Sequence, residues 1–410
     1  MPPSLVHSPT VRLDFRVDKA VSRLMQFLAI PGVTGHEKAI GQAVAKALVE
    51  AGMPSRAIFF DHANREIPFP TETGNLIVDL PGTRPGPRRM FMTHLDTVPL
   101  CAGAKPVRKG NRIVAAGPTA LGGDNRTGVA CLVNLAATLF EHKLPHPPLT
   151  LLFTVREESG LWGARYVKPA DLGRPTEAYN VDGRSAQEFT VGAVGADRWE
   201  VEILGRASHA GVHPEQGISA TMVAALAMQQ VHKDGWFGKI HRNGQRGTSN
   251  VGMIAGKDGK SAGEATNVVT DYALIKGESR SHDPRLVKKI TAAYRDAFRQ
   301  AAGKIRDDRG RAAKIRFQSR LDYYPFRLDD DAPVVRHAMA AARLAGLKPS
   351  LRIGNGGLDA NWMVRHGIPT ITFGAGQNNI HAVGEYVDLA EFENGCRVAI
   401  ALAVQEENKL

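Results

Sequence analysis

Cysteine is scarce in this chain. Cys101, Cys131 and Cys396 are all there is in 410 residues, and no two are close in sequence. A sparse, odd set excludes a disulfide framework and a thiolate zinc site, and it suits a reducing cytoplasm. Long apolar runs are also missing, so no segment reads as a bilayer span. The first residues, MPPSLVHSPTVRLDF, lack the basic stretch and apolar run of a signal peptide. Repeats and low-complexity tracts are absent too. Aromatic residues are few, with four tryptophans and seven tyrosines. The formal charge of +11 therefore has no basic–aromatic pattern on which nucleic-acid bases would stack. The basic residues are interspersed with acids, as in KIRDDRGRAAKIRF at 304–317. These features point to a soluble cytoplasmic protein without a nucleic-acid or membrane partner, whose positive surface could attract anionic substrates.

What is present is globular: 43% hydrophobic and 23% charged residues, in a chain long enough for more than one domain. Helical stripes at 17–30 and 36–52 precede apolar strand-like runs at 76–80, 90–93 and 149–155, with a helix expected at 128–140. That succession predicts an α/β fold with a mostly parallel central sheet flanked by helices. Near residue 192 the style changes. Segment 199–203 alternates apolar and polar residues. A helix at 219–231, strands at 250–254 and 268–276, a helix at 284–302 and a strand at 313–318 follow. Strand–helix–strand–strand–helix–strand describes a ferredoxin-like α+β module. After Pro325 the first style returns, with a helix at 332–345, a strand at 369–373 and a closing helix at 389–407. The expected organisation is one α/β domain of residues 1–193 and 326–410, interrupted by a small inserted domain of residues 194–325.

Chemistry-bearing residues gather where apolar strands end. FMTHLDTVP at 91–99 offers His94, with Asp96 two positions on to orient its ring. LGGDNRTG at 121–128 brings Asp124 to a helix entry, between glycines that let the backbone bend. FTVREESG at 153–160 ends an apolar strand on adjacent carboxylates, Glu157 and Glu158. Such a pair is costly near a core without a compensating cation. Asp182 closes the strand-like AYNVDG at 178–183, and His381 ends GAGQNNIH at 374–381. Taken singly, His94 is better explained as a hydrogen-bonded core histidine, Asp124 is as well explained as a helix cap, and Asp182 and His381 read as turn residues. Together they form an N/O ligand set suited to two divalent ions with open positions for water.

These motifs resemble the di-zinc exopeptidases of the aminoacylase/carboxypeptidase group, and most closely the peptidase T-like branch. The resemblance runs in order over nearly the whole chain. It implies that His94 and Asp182 bind one ion, that Glu158 and His381 bind the other, and that Asp124 bridges them. Zinc is the expected metal, with cobalt or manganese as substitutes. Glu157 would be general base and acid, and Asp96 would orient His94. GRASHAGVHPEQG at 205–217 is similar to the family's lid signature, which implies that His209 stabilises the oxyanion, often from a partner subunit. Asn267, Arg280, Gly356 and Gly357 match substrate-contacting positions. Arginine suits a terminal carboxylate, although Arg280 would equally serve in a surface ion pair. Aspartate at 182 tilts the expectation towards short peptides cleaved by an aminopeptidase or tripeptidase. Thr93, Asn125 and Leu358 depart from the commoner residues at their positions, and Leu358 puts strict peptidase T specificity in doubt. An N-acyl amino acid amidohydrolase would share every metal ligand, and a non-catalytic metal-dependent peptide-binding protein is the alternative of another class. A homodimer through the lid is a further expectation.

Overall fold

The computed structural model describes residues 15–263 and 265–406. The N-terminal segment read above for a leader, and the last residue of the closing helix at 407, lie outside that range except for Phe15. The chain divides into two compact units. One runs to Gly192 and resumes at Arg327–Gly354 and from Leu358; the other comprises Ala193–Phe326 with the short loop Asn355–Gly357.

The first unit is built on strands that are buried along their whole length. Arg89–His94, Leu149–Thr154, Glu177–Val181 and Thr370–Phe373 expose no residue to solvent. Continuous burial means that both sheet faces are covered, which is why apolar residues follow one another at Met90–Met92 and Leu151–Phe153. Arg89–His94 pairs in parallel with Leu149–Thr154 on one side and Glu177–Val181 on the other, and Thr370–Phe373 pairs in parallel with Glu177–Val181. Around this parallel centre the sheet turns antiparallel, at Leu76–Leu80 on one flank and Glu188–Ala193 on the other. Because the four central strands run the same way, their carboxyl ends share one edge of the sheet, where α/β folds place ligands.

At the opposite edge a buried polar staple holds strand starts and helix ends together. Glu177 takes the Arg89 guanidinium at 3.1 Å, the Tyr179 hydroxyl at 2.7 Å and His337 Nδ1 at 2.7 Å. Arg89 also donates to the carbonyls of Leu402 and Gln405, at the end of the helix Leu389–Val404. A smaller four-stranded sheet, made of Gln377–Asn378, Tyr386–Asp388, Arg112–Ala115 and Pro106–Lys109, was not foreseen from the sequence.

The second unit has a five-stranded antiparallel sheet. Its order is Gly238–Arg242, Gln245–Ala255, Tyr272–Ser281, Gly195–Leu204, Lys314–Tyr323. The helices Ala220–Lys233 and Pro284–Lys304 pack on Trp199, Val201, Ile203, Ala273 and Ile275, the inward residues of two neighbouring strands. Four of the strands have the order expected of a ferredoxin-like module, and Gly238–Arg242 adds one at the edge. The strand expected from residue 268 begins instead at Tyr272. Before it, Val268 makes only an isolated bridge to His209. No helix among the described residues is long and apolar enough to cross a membrane.

Candidate metal centre

His94 is the last residue of its strand, Asp182 follows directly on Glu177–Val181, and Glu157 and Glu158 lie just past Leu149–Thr154. Parallel pairing therefore delivers four of the candidates to one edge. Asp124 arrives differently. The helix Gly123–Glu141 starts earlier than its apolar pattern indicates, and Asp124 and Asn125 depart from helical dihedrals; the peptide bond between them is cis. Gly122 enters with φ +83°, a conformation that favours glycine. Gly128 then allows the helix to lie against Thr93 and Val181, with no room for a side chain.

The donor atoms converge. Asp124 Oδ1 lies 3.1 Å from His94 Nε2, while its Oδ2 lies 3.2 Å from His381 Nε2. His381 Nε2 is also 2.9 Å from the Glu158 carboxylate. Three groups have ligand atoms within 4.8 Å of one another: His94–Asp124–Asp182, His94–Glu157–Glu158 and Asp124–Glu158–His381. Asp124 belongs to two of these groups, with one oxygen facing each histidine. Donors bound about 2.0–2.1 Å from a tetrahedral ion sit roughly 3.3 Å apart, so separations near 3 Å suit cations.

Electrostatics points the same way. Burial pushes Glu158 up to about 7, helped by the charge of Asp124, and pushes Asp182 up to about 6 for the same reasons. Glu157 rises well above the ordinary carboxylate range through burial and the charges of Glu158, Asp182 and Asp359, against the opposing pull of His94. Asp359, buried beside them, rises to about 7. Burial would also raise Asp124, but the two histidines outweigh it and hold it low. The cluster is short of positive charge, and divalent cations would supply it.

Asp96 has a larger part than orienting a ring. His94 Nδ1 is closer to the Asp96 carbonyl, at 3.1 Å, than to its carboxylate, at 3.4 Å. The carboxylate accepts the backbone N–H of Glu157 at 3.0 Å and of Glu158 at 3.2 Å, fixing the double-glutamate loop. Two further carboxylates escaped the sequence reading. Glu385 accepts the backbone N–H groups of Leu121 and Gly122 at 2.8 Å and of Asp124 at 3.0 Å, clamping the loop that carries Asp124. Glu37 accepts the N–H of Gly35 at 2.7 Å and of Arg156 at 3.1 Å. Arg156 and His381 both hold left-handed backbone, with φ of +55° and +62°. Each costs about 1–2 kcal/mol, and such strain concentrates at functional loops. Glu385 stands four residues after His381, the one cue that could have drawn notice. Gln377 donates to Asp182 at 3.1 Å.

In the second unit, His209 is exposed and its Nδ1 accepts the N–H groups of Gly211 and Val212, both at 3.2 Å. An accepting Nδ1 leaves the proton of the neutral ring on Nε2. Asn267 lies beside it, its carbonyl accepting the N–H of Ala210 at 2.8 Å. Arg280 is paired with Glu278. Gly357 packs so closely on the Tyr323 ring that a side chain there would collide with it, whereas Gly356 faces open space.

Residues 90–405 match the model of peptidase family M20/M25/M40. The chain belongs to this family. Its relatives include YqjE of Bacillus subtilis (strain 168), an uncharacterised protein 32% identical over 333 residues, which are 80% of this chain and 84% of that one. Among solved structures, a tripeptidase from Staphylococcus aureus subsp. aureus Mu50 superposes with a TM-score of 0.83 at 26% identity, covering 95% of this chain and 98% of the other. The aminopeptidase PepT of Bacillus cereus ATCC 10987 gives 0.78 at 29% identity, with the same coverage. As an M20 member the protein is a metal-dependent peptidase, and its substrates are peptides.

Proposed function

We propose that the protein is an exopeptidase that removes the N-terminal residue of tripeptides and similarly short peptides, with two divalent ions, zinc by the character of the donors. His94 and Asp182 would hold one ion, Glu158 and His381 the other, and Asp124 would serve both. The observation that carries this reading is the placement of the two Asp124 oxygens, each within 3.2 Å of a different histidine. Two imidazoles and three carboxylates suit zinc, and also cobalt or manganese. The likeness to a tripeptidase and to PepT supports the substrate class.

When bound, such a metal pair supplies a Lewis acid and lowers the pKa of a coordinated water towards neutrality. The chain's own groups do the rest. Glu157 takes a proton from the attacking water and returns it to the leaving amine. Asp96 keeps that glutamate in place through its backbone N–H. His209 donates from Nε2 to the oxyanion. Arg280 takes the terminal carboxylate of the peptide, and Asn267, Gly356 and Gly357 line its path. A homodimer through the second unit and a cytoplasmic setting complete the reading; the buried, unpaired thiols of Cys101, Cys131 and Cys396 support the latter.

A hydrolysis panel tests it. Tripeptides with a free N-terminus are expected to be cleaved with chelator-sensitive rates well above those of dipeptides and N-acetyl amino acids. Preferential cleavage of the N-acetyl amino acids would replace this reading with an amidohydrolase.

A further inference from the structure

The second unit's sheet bears helices on one face and a compact set of charges on the other. On the open face, Glu278 lies directly across from Arg198, and Arg198 from Arg320. Arg280 is two residues beyond Glu278 on the same strand, so both side chains project from one face. Glu278 meets Arg280 side-on, with Oε1 at 2.8 Å from Nε and Oε2 at 2.9 Å from Nη2. Arg198 stands behind the pair. Its Nε is 2.9 Å from the buried Asp322, and its Nη1 is 3.5 Å from Glu278 Oε2. Glu278 is thus held between two guanidiniums and its carboxylate cannot easily swing away.

A guanidinium has five N–H donors arranged along two usable edges. Glu278 covers the Nε/Nη2 edge, hydrogen-bonded at Nη2 and in ion contact at Nε. Nη1 has no hydrogen-bond partner among the described residues, and a quarter of the Arg280 side chain remains exposed. What is left is the Nη1/Nη2 edge. A planar carboxylate accepts two parallel bonds from that edge, whereas a neutral C-terminal amide offers one oxygen. Discrimination there depends on the direction of the fork.

We propose that Glu278 is a positioning residue that turns the end-on edge of Arg280 towards the substrate and so sets the preference for a free C-terminal carboxylate. This rests on the reading that Arg280 receives that carboxylate. Without Glu278, the long Arg280 side chain regains its rotamers and can turn towards Asp322, the other acid whose charge it feels.

The test compares two tripeptides that differ only in a C-terminal acid or amide, hydrolysed by the wild type, Glu278→Gln, Glu278→Asp and Arg280→Lys. Hydrolysis of the amide by each preparation reports whether the variant is folded. Glu278→Gln is expected to lower the acid-to-amide ratio of kcat/KM about tenfold, mainly through a higher KM for the acid. Glu278→Asp, which keeps the charge, is expected to recover part of the ratio, and Arg280→Lys to lose it. A ratio that rises in Glu278→Gln would make Glu278 a competitor of the substrate and overturn the proposal. A ratio unmoved in Glu278→Gln but collapsed in Arg280→Lys would show that Arg280 needs no orientation, again overturning it. A ratio unmoved in both would remove Arg280 itself from carboxylate binding, and the proposal would fall with that reading.

Discussion

Replacing Glu157 with glutamine changes one charge and almost no volume, so its effects can be anticipated separately for chemistry, metal and fold. The loop is held by main chain: the Glu157 N–H bonds Asp96 at 3.0 Å and the Glu158 N–H bonds it at 3.2 Å, neither through the Glu157 side chain. The substitution also removes a negative charge from a cluster in which Glu158, Asp182 and Asp359 repel it. Metal-free Glu157→Gln is therefore expected to unfold no more easily than the metal-free wild type. Loss of a general base lowers turnover by roughly 10²–10⁴-fold, or about 3–5 kcal/mol of transition-state stabilisation. The assay is steady-state release of the N-terminal residue from a tripeptide, alongside elemental analysis of the same preparation. Full metal content with kcat down by that factor is the expected outcome. A kcat within tenfold of the wild type would refute the role. Loss of metal together with activity would make Glu157 a ligand, which its proximity to His94 and Glu158 allows geometrically.

Glu177→Ala leaves Arg89 and His337 buried without their shared carboxylate, and is expected to cost about 3–5 kcal/mol in denaturant unfolding. Burial pushes Glu177 up, but the His337 hydrogen bond and charge, with Tyr179 and Arg89, bring it below its ordinary value of 4.5. Its contribution is complete above that value and lost as pH falls through the lower folded value, so Glu177→Gln is expected to flatten acid unfolding in that range. Gly128→Ala would place a methyl within 2.6 Å of Asn125 Oδ1 and closer still to Thr93 and Val181; a loss of about 3 kcal/mol is expected from thermal unfolding. Glu385→Ala orphans three N–H groups in the loop that carries Asp124, and is expected to weaken metal retention by about 10–100-fold in chelator competition.

The parallel strands were legible because burial on both faces favours apolar residues at successive positions, as at Met90–Met92 and Leu151–Phe153. The ligand motifs were legible because each follows such a strand or opens a helix. The small sheet was not, since Gln377–Asn378 and Tyr386–Asp388 are too short to show a period. The start of the helix at Gly123 was hidden because Asp124 and Asn125 leave helical geometry, which no periodicity encodes. Glu385 and Glu37 stayed invisible for a related reason. Their partners are backbone N–H groups, and a carboxylate that binds main chain has no complementary side chain to betray it. The strand expected from residue 268 began late because Val268 and Val269 are engaged with the His209 loop, through the Val268–His209 bridge and the bond from the Val269 N–H to the Ser208 carbonyl. Arg280 was read as a substrate residue with an ion pair as the alternative, and that its ionic partner is Glu278 became visible only with the strand in place.

The most direct measurement is the metal stoichiometry of the protein equilibrated with zinc, for the wild type, Asp124→Ala and Asp182→Ala. Two tightly held ions per chain are expected in the wild type, with one lost in Asp182→Ala and both weakened in Asp124→Ala. A wild type that takes up a single ion, or an Asp124→Ala variant that still holds two with undiminished affinity, would contradict the bridging role of Asp124.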